Sequence, residues 1–209
     1  MQKKTPTLAG DFVVQTSDII DFFNKYAPTW DADMIRNDEK IATILDFAGV
    51  VAGTTVLDVA CGTGVIIPDY LSRGVTKVIG VDISPAMVEL AKAKFNDPRV
   101  EFLCADVQEL TFKSVFDCAL VYNAFPHFSE PKTLLKCLAN FVKIDGRVTV
   151  AHGMSRDWIN NHHGGSASRV SVGLMSAEEL ASLFELDFTV DVCISNNDMY
   201  VVSGTKRKA

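Results

Sequence analysis

Apolar residues in this chain gather into short, nearly continuous runs, and helix-periodic stretches lie between them. Runs at 55–59, 77–82, 99–104, 116–122 and 147–151 are rich in Val, Leu and Ile. Strands buried on both faces of a parallel sheet read this way. Helices are predicted between them, over 64–73, 85–95 and 131–142. Ser84-Pro85 opens the second of these as a cap followed by proline in the first turn. Ser129 and Pro131 open the third, which ends before Asp145-Gly146. Strand and helix in alternation predict a doubly wound sheet with right-handed crossovers.

The ends of the chain depart from that rhythm. Ser176 with Glu179 three residues on is a capping box, and starts a helix at 176–185. Strands at 186–194 and 199–204 follow, separated only by Ser195-Asn196-Asn197-Asp198. So short a connection makes an antiparallel hairpin. Residues 17–24 and 34–48 read as helices packed over one end of the sheet. Residues 1–50 are thus expected to form a helical cap, and 51–209 the main domain with a lid near 152–175.

Composition narrows the class. The 209 residues suit one domain; the formal net charge is −6, with 48% hydrophobic and 22% charged residues. An acidic chain whose basic cluster is Lys206-Arg207-Lys208 is not expected to bind nucleic acid, which needs clustered cations. No apolar run approaches the ~20 residues of a membrane span. No apolar leader follows Lys3 and Lys4, so a cytoplasmic protein is expected, as a monomer or homodimer. The five cysteines, 61, 104, 118, 137 and 193, form no CxxC pair and read as reduced, mostly buried thiols.

Candidate chemistry starts where the first strand ends. Ligands of open parallel sheets bind beyond the carboxyl ends of the strands, at the switch point. Asp58-Val59-Ala60-Cys61-Gly62-Thr63-Gly64 leaves the sheet there. Gly62 and Gly64 let backbone approach a ligand closely. Asp82 ends the second strand, 20 residues after Gly62, where an acid accepts from ribose hydroxyls. Asp106 follows the third strand and is placed to accept from an exocyclic amine. A dinucleotide fold would need GxGxxG; Ala60, Gly62 and Val65 occupy those places, and the closing hairpin does not fit it either.

The sequence resembles the class I S-adenosylmethionine-dependent methyltransferases, in the small-molecule group that includes ubiquinone and menaquinone methyltransferases. Residues 56–64, 81–87, 104–107 and 116–123 match that family's four motifs in order, within a resemblance spanning roughly 18–205. The resemblance implies an α/β, Rossmann-like seven-stranded sheet of order 3-2-1-4-5-7-6, the seventh strand antiparallel, with helices on both faces. It implies S-adenosyl-L-methionine as cofactor and S-adenosyl-L-homocysteine as product. Carried over by position, Ala60 and Gly62, with Gly64, would lie along the methionyl part and Asp82 would hold the ribose. Ile83 and Met87 would sandwich the adenine; Asp106 would bind its amine, beside Val107. Met87 suits a core position equally. Asp58 would reach the amino group through water, or only order the loop.

Methyl transfer from a sulfonium is an in-line displacement, so alignment matters most, and a base helps when the acceptor carries a proton. Asn123 and His127 follow the fourth strand beside the expected methyl. His127 reads as acceptor base or hydrogen-bonding group, or as a helix-start histidine that orients the loop. The Asn-Pro-Pro-Tyr of amine methyltransferases is absent. His152, His162 and His163 crowd the predicted lid, as a metal site, a substrate clamp or simply a polar mobile lid. Tyr26, Trp30, Phe125 and Trp158 would wall a compact acceptor pocket, and Arg156 would pair with an acceptor carboxylate, with Asp157 or with solvent. A small-molecule acceptor taking the methyl on O, N, S or C is expected. The alternatives are an S-adenosylmethionine-binding protein with a regulatory or non-methylating role, and a metal-linked methyltransferase.

Overall fold

The computed structural model describes residues 14–163 and 166–208, without the side chains of Asp33, His163, Ser166 and Ala167. The predicted Gly164-Gly165 hinge and His163's side chain lie outside the described residues. In chain order the elements are α1 Thr16–Tyr26, a 3-10 turn at Ala27–Thr29, α2 Trp30–Asp33, α3 Asp38–Phe47 and β1 Thr55–Val59. They continue with α4 Ile67–Ser72, β2 Lys77–Asp82, α5 Pro85–Lys94, β3 Val100–Cys104, β4 Phe116–Tyr122 and α6 Pro131–Phe141. The chain ends in β5 Val142–His152, α7 Arg156–His163, α8 Ala177–Phe184, β6 Phe188–Ser195 and β7 Tyr200–Lys206.

One seven-stranded sheet runs β3-β2-β1-β4-β5-β7-β6. Strands β1 to β5 are parallel, and β7 inserts antiparallel between β5 and β6. The expected order and the inverted last strand are both present. Period two along each strand sorts side chains to the two faces. Leu57, Val59, Ala119, Val121, Val148 and Val150 pack with α6 and α8 through Leu134, Leu138, Leu180 and Phe184. Val56, Val78, Cys118 and Leu120 pack on the other face with Ile41, Leu45, Ile67, Tyr70 and Val88 from α3, α4 and α5. Each such fully buried aliphatic or aromatic side chain stabilises the fold by roughly 1.5–3 kcal/mol.

Helix starts follow local hydrogen bonding. Ser84 Oγ accepts from Met87 N at the head of α5, with Pro85 behind it. Ser176 and Glu179 exchange both bonds of their capping box. Three expectations need correction. Residues 34–37 are not helical; α3 begins at Asp38, because Asn37 Oδ1 accepts from Lys40 N. The helix after the glycine loop begins at Ile67 rather than at 64, because residues 62–66 are turns. Strand β5 begins at Val142 rather than at 147. Asp145-Gly146, read as a helix stop, is instead an irregularity within it, with Asp145 at φ 62°.

Gly80, in β2, has no room for a larger residue. A Cβ there would lie 2.8 Å from the Phe102 ring and 2.9 Å from Cys61 Sγ. Gly80→Ala should cost about 1–3 kcal/mol of stability through overpacking. An unchanged denaturant midpoint would contradict this.

Candidate functional site

The loop after β1 is shaped by backbone that only small residues accept easily. Ala60 and Gly62 lie at φ 55° and 54°, and Gly64 at φ 83°. Holding alanine in the left-handed region costs roughly 1–2 kcal/mol, so this turn stores strain that its neighbours must hold. The two glycines differ in role. A Cβ on Gly62 would meet nothing within 4 Å, whereas one on Gly64 would lie 2.7 Å from the Phe95 ring. Gly62 leaves space open for a ligand; Gly64 lets the loop pack against the end of α5.

Asp82 holds the turn. Its Oδ2 accepts from Gly62 N at 2.8 Å and its Oδ1 from Ser84 N at 2.9 Å. Burial raises its ionisation above the ordinary carboxylate range, and those N–H groups partly offset this. Asp58, one strand away, lies on the helix-packed face beneath the loop. It is 1% exposed, and its Oδ2 and the Tyr70 hydroxyl face one another without a hydrogen bond of good geometry. Burial pushes its carboxyl up to about 8; the Tyr70 hydroxyl opposes this and the Asp82 charge adds to it.

A cavity of about 330 Å³ opens above the carboxyl ends of β1, β2, β3 and β4. Ala60, Gly62, Asp82, Ile83, Met87, Asp106, Val107, Asn123, His127 and Trp30 line it, so most of the expected site residues meet there. Its charged lining residues, among those described, are Asp82 and Asp106; no lysine or arginine is among them. Gln108 also lines it and was not anticipated. Its Oε1 is buried with no hydrogen-bond partner among the described groups, two residues from Asp106, whose Oδ1 accepts from Gln108 N. A glutamine in a 3-10 turn carries no sequence signal that sets it apart.

The cap closes the cavity with Ile19, Phe23, Trp30 and Met34. Three polar ties pin it to the glycine loop and its flanks. Asn24 Oδ1 accepts from Ser84 Oγ and Ala86 N. Asp31 accepts from Thr63 Oγ1 and pairs with Lys94 Nζ at 2.7 Å. Arg36 donates to Val65 O at 2.7 Å and pairs with Asp69 at 2.6 Å. Partial burial raises Asp31, but the Lys94 and Thr63 hydrogen bonds outweigh it and hold the carboxyl below its usual range.

At the opposite wall, His127 Nδ1 lies 2.6 Å from Val170 O, and its ring meets Phe23 edge-on at 5.0 Å between centroids. Val172 N donates to Pro126 O at 2.9 Å, so residues 170–172 strap the 125–128 turn. Asn123, at φ 54°, spends its Oδ1 on Gly153 N at 3.0 Å.

Other expected residues lie apart from this cavity. Phe125 is buried in the core, and Tyr26 packs on Phe22 at 4.6 Å. Trp158 is 44% exposed and stacks on His162 at 3.6 Å. His152 is buried opposite Tyr200 in the β5–β7 ladder. Arg156 lines a second pocket. Among the described residues no group of three His, Cys, Asp or Glu is placed to hold a metal. No helix among them is long and apolar enough to cross a membrane.

Comparison with known proteins bears on this geometry. Residues 56–146 match the methyltransferase domain family. The chain is 29% identical over 127 residues to a malonyl-[acyl-carrier protein] O-methyltransferase of Acetivibrio thermocellus, covering 59% of this chain and 45% of that protein. It is 26% identical over 181 residues to the protein of the same name from Priestia megaterium, covering 82% and 64%. The chain thus spans about half to two thirds of the length of these relatives. The fold superposes on the N-methyltransferase NodS of Bradyrhizobium japonicum, solved with S-adenosyl-L-homocysteine, at a TM-score of 0.70. That match has 12% identity and covers 92% and 99% of the two chains.

Asp58 gives the protein a defined pH response. A carboxyl raised on folding stabilises most below its unfolded value near 4, and that contribution is lost as pH rises toward about 8. Asp58→Asn, which mimics the protonated acid, should flatten that decline and raise the melting temperature at pH 8 by several degrees relative to wild type. Melting curves at pH 5 and pH 8 check this; a variant that melts lower at both contradicts it.

Proposed function

We propose that this domain binds S-adenosyl-L-methionine in the cavity and passes its methyl group to a small, largely apolar acceptor, with His127 as the acceptor-side base. The observation that carries this reading is the charge of the wall. Two carboxylates and no cation face the space, among the described residues. A sulfonium cofactor with a cationic amino group is attracted there; a dinucleotide fold would need the third glycine of GxGxxG, where this chain has Val65.

The residues present fit that cofactor. Asp82 keeps lone pairs beyond those given to Gly62 and Ser84, enough to accept from a ribose. Asp106 and the orphaned Gln108 Oε1 supply acceptors for an exocyclic amine, flanked by Ile83 and Met87. Gly62 leaves backbone bare toward the open space. When bound, the cofactor supplies an activated methyl group, so the chain's own task is positioning, which is worth up to ~7–11 kcal/mol.

His127 is suited to hold a proton. A carbonyl oxygen only accepts, so the bond to Val170 O places the proton on Nδ1, and the neutral ring carries its lone pair on Nε2. The strap at 170–172 fixes that tautomer and the ring's angle. Ile19, Phe23, Trp30, Met34 and Phe128 make the remaining wall apolar. A cavity near the lower end of the ~300–1,000 Å³ range of small-molecule sites leaves little room beside the cofactor. The acceptor is therefore small, and residues 14–50 act as a cap that swings aside to admit it, with the lid near 152–175 as the other jaw.

His127→Ala should lower turnover by about 10²–10⁴-fold while changing cofactor affinity less than about twofold. Release of S-adenosyl-L-homocysteine across an acceptor screen, with calorimetry alongside, checks this; equal loss of both would make His127 structural. Asp82→Ala should weaken S-adenosyl-L-methionine binding by roughly a hundredfold or more, because it removes a ligand acceptor and frees Gly62 N. Unaltered affinity would remove the ribose assignment.

A further inference from the structure

The partly buried arginines of the described structure are matched to aspartates with one exception. Arg36 pairs with Asp38 and Asp69, Arg73 with Asp46, Arg99 with Asp97 and Arg147 with Asp191. Arg156, in the first turn of α7, is half-buried, and no ion pair to it is present among the described residues. Its Nε donates to Leu174 O at 2.9 Å. Asn160, one turn on, clasps the same residue, accepting from Leu174 N at 2.7 Å and donating to Leu174 O at 3.1 Å. These bonds fix the guanidinium through Nε, and no hydrogen bond from its terminal nitrogens is present among the described residues. The bond from Ser176 N to Glu179 Oε2 at 2.9 Å holds that carboxyl below its usual range, and the Arg156 charge adds to this without a direct ion pair. A cation drawn partly out of water gains from an anion that bonds it directly.

Arg156 and Asn160 line a second, open pocket together with Ser168 and Ser171. Ser129 lines this pocket and the main cavity alike, so the two concavities share a wall just before α6. The strap that holds His127 through Val170 runs on into Ser171 and Leu174, which line the second pocket.

We infer that Arg156 is the anchor for a carboxylate on the methyl acceptor, its reactive end at His127 and its charged tail beyond Ser129. This rests on the methyl-transfer reading of the main cavity. One guanidinium edge with hydroxyl and amide neighbours matches a planar, singly charged carboxylate. A phosphate would leave charge uncompensated, since no second cation lines the pocket among the described residues. The arrangement joins an apolar reacting end to an anionic tail and selects amphipathic acids over neutral molecules of the same shape.

The test uses 4-phenylbutyrate and its neutral isostere 4-phenylbutyramide, titrated into the full chain saturated with S-adenosyl-L-homocysteine and read by saturation-transfer NMR and calorimetry. The acid should bind roughly tenfold or more tightly than the amide in wild type. That advantage should fall below about twofold in Arg156→Gln. It should fall equally in Ser168→Asp, which puts a carboxylate at the exposed rim while leaving the Arg156–Leu174 bond in place. Arg156→Lys should restore part of it, and affinity for S-adenosyl-L-homocysteine should be the same in all. No binding of the acid, equal binding of acid and amide, or an advantage that survives in both variants overturns the inference. Failure of S-adenosyl-L-homocysteine itself to bind sinks the cofactor reading instead, and is scored separately.

Discussion

One buried carboxylate ties together the parts that make the cavity. Asp82 accepts from Gly62 in the loop after β1 and from Ser84 at the head of α5, while its own backbone closes β2. The loop it secures passes through the left-handed region at Ala60 and again at Gly62, and would relax without an anchor. Withdrawing an acid from water is unfavourable, and the charge-assisted bonds to two N–H groups offset that cost. The fold therefore places a negative charge at the sheet's switch point before any ligand arrives. Strand, loop, helix start and ligand preference all follow from that charge.

The cap answers the same charge pattern from above. Its polar ties land on Thr63, Val65, Asp69, Ser84 and Lys94, all in or beside the elements that Asp82 organises. They are half-exposed pairs and hydrogen bonds, each worth little alone. That weakness suits the opening proposed for this cap, since segments that move are drawn from the less stable part of a structure. The apolar cap residues Phe23 and Trp30 then do what the ties do not: they exclude water and bring an aromatic edge to His127.

Strand positions were legible because burial on both faces of a parallel sheet leaves continuous apolar runs. Residues 55–59, 77–82 and 116–122 coincide with β1, β2 and β4. The inverted last strand was legible from a connection too short for anything but a hairpin. Asp145-Gly146 misled because the same pair that stops a helix also relieves an irregular strand, and only pairing with Phe116 and Cys118 distinguishes them. The residues that line the cavity at the strand ends were legible because strand-end positions are fixed by topology. Contacts that join distant segments were not: the His127–Val170 bond, the Asp31–Thr63 tie and the orphaned Gln108 oxygen depend on the third dimension. The lid histidines looked like a cluster in sequence, yet His152 is held in the sheet and His162 stacks outward on Trp158.

The central claim is that this negatively charged crevice receives an adenosyl sulfonium. A crystal structure grown with S-adenosyl-L-homocysteine tests it most directly. The account predicts ribose hydroxyls on Asp82 and the adenine amine within hydrogen-bond reach of Asp106 or Gln108. A nucleoside bound elsewhere, or a crevice that takes a nicotinamide dinucleotide in its place, would contradict it.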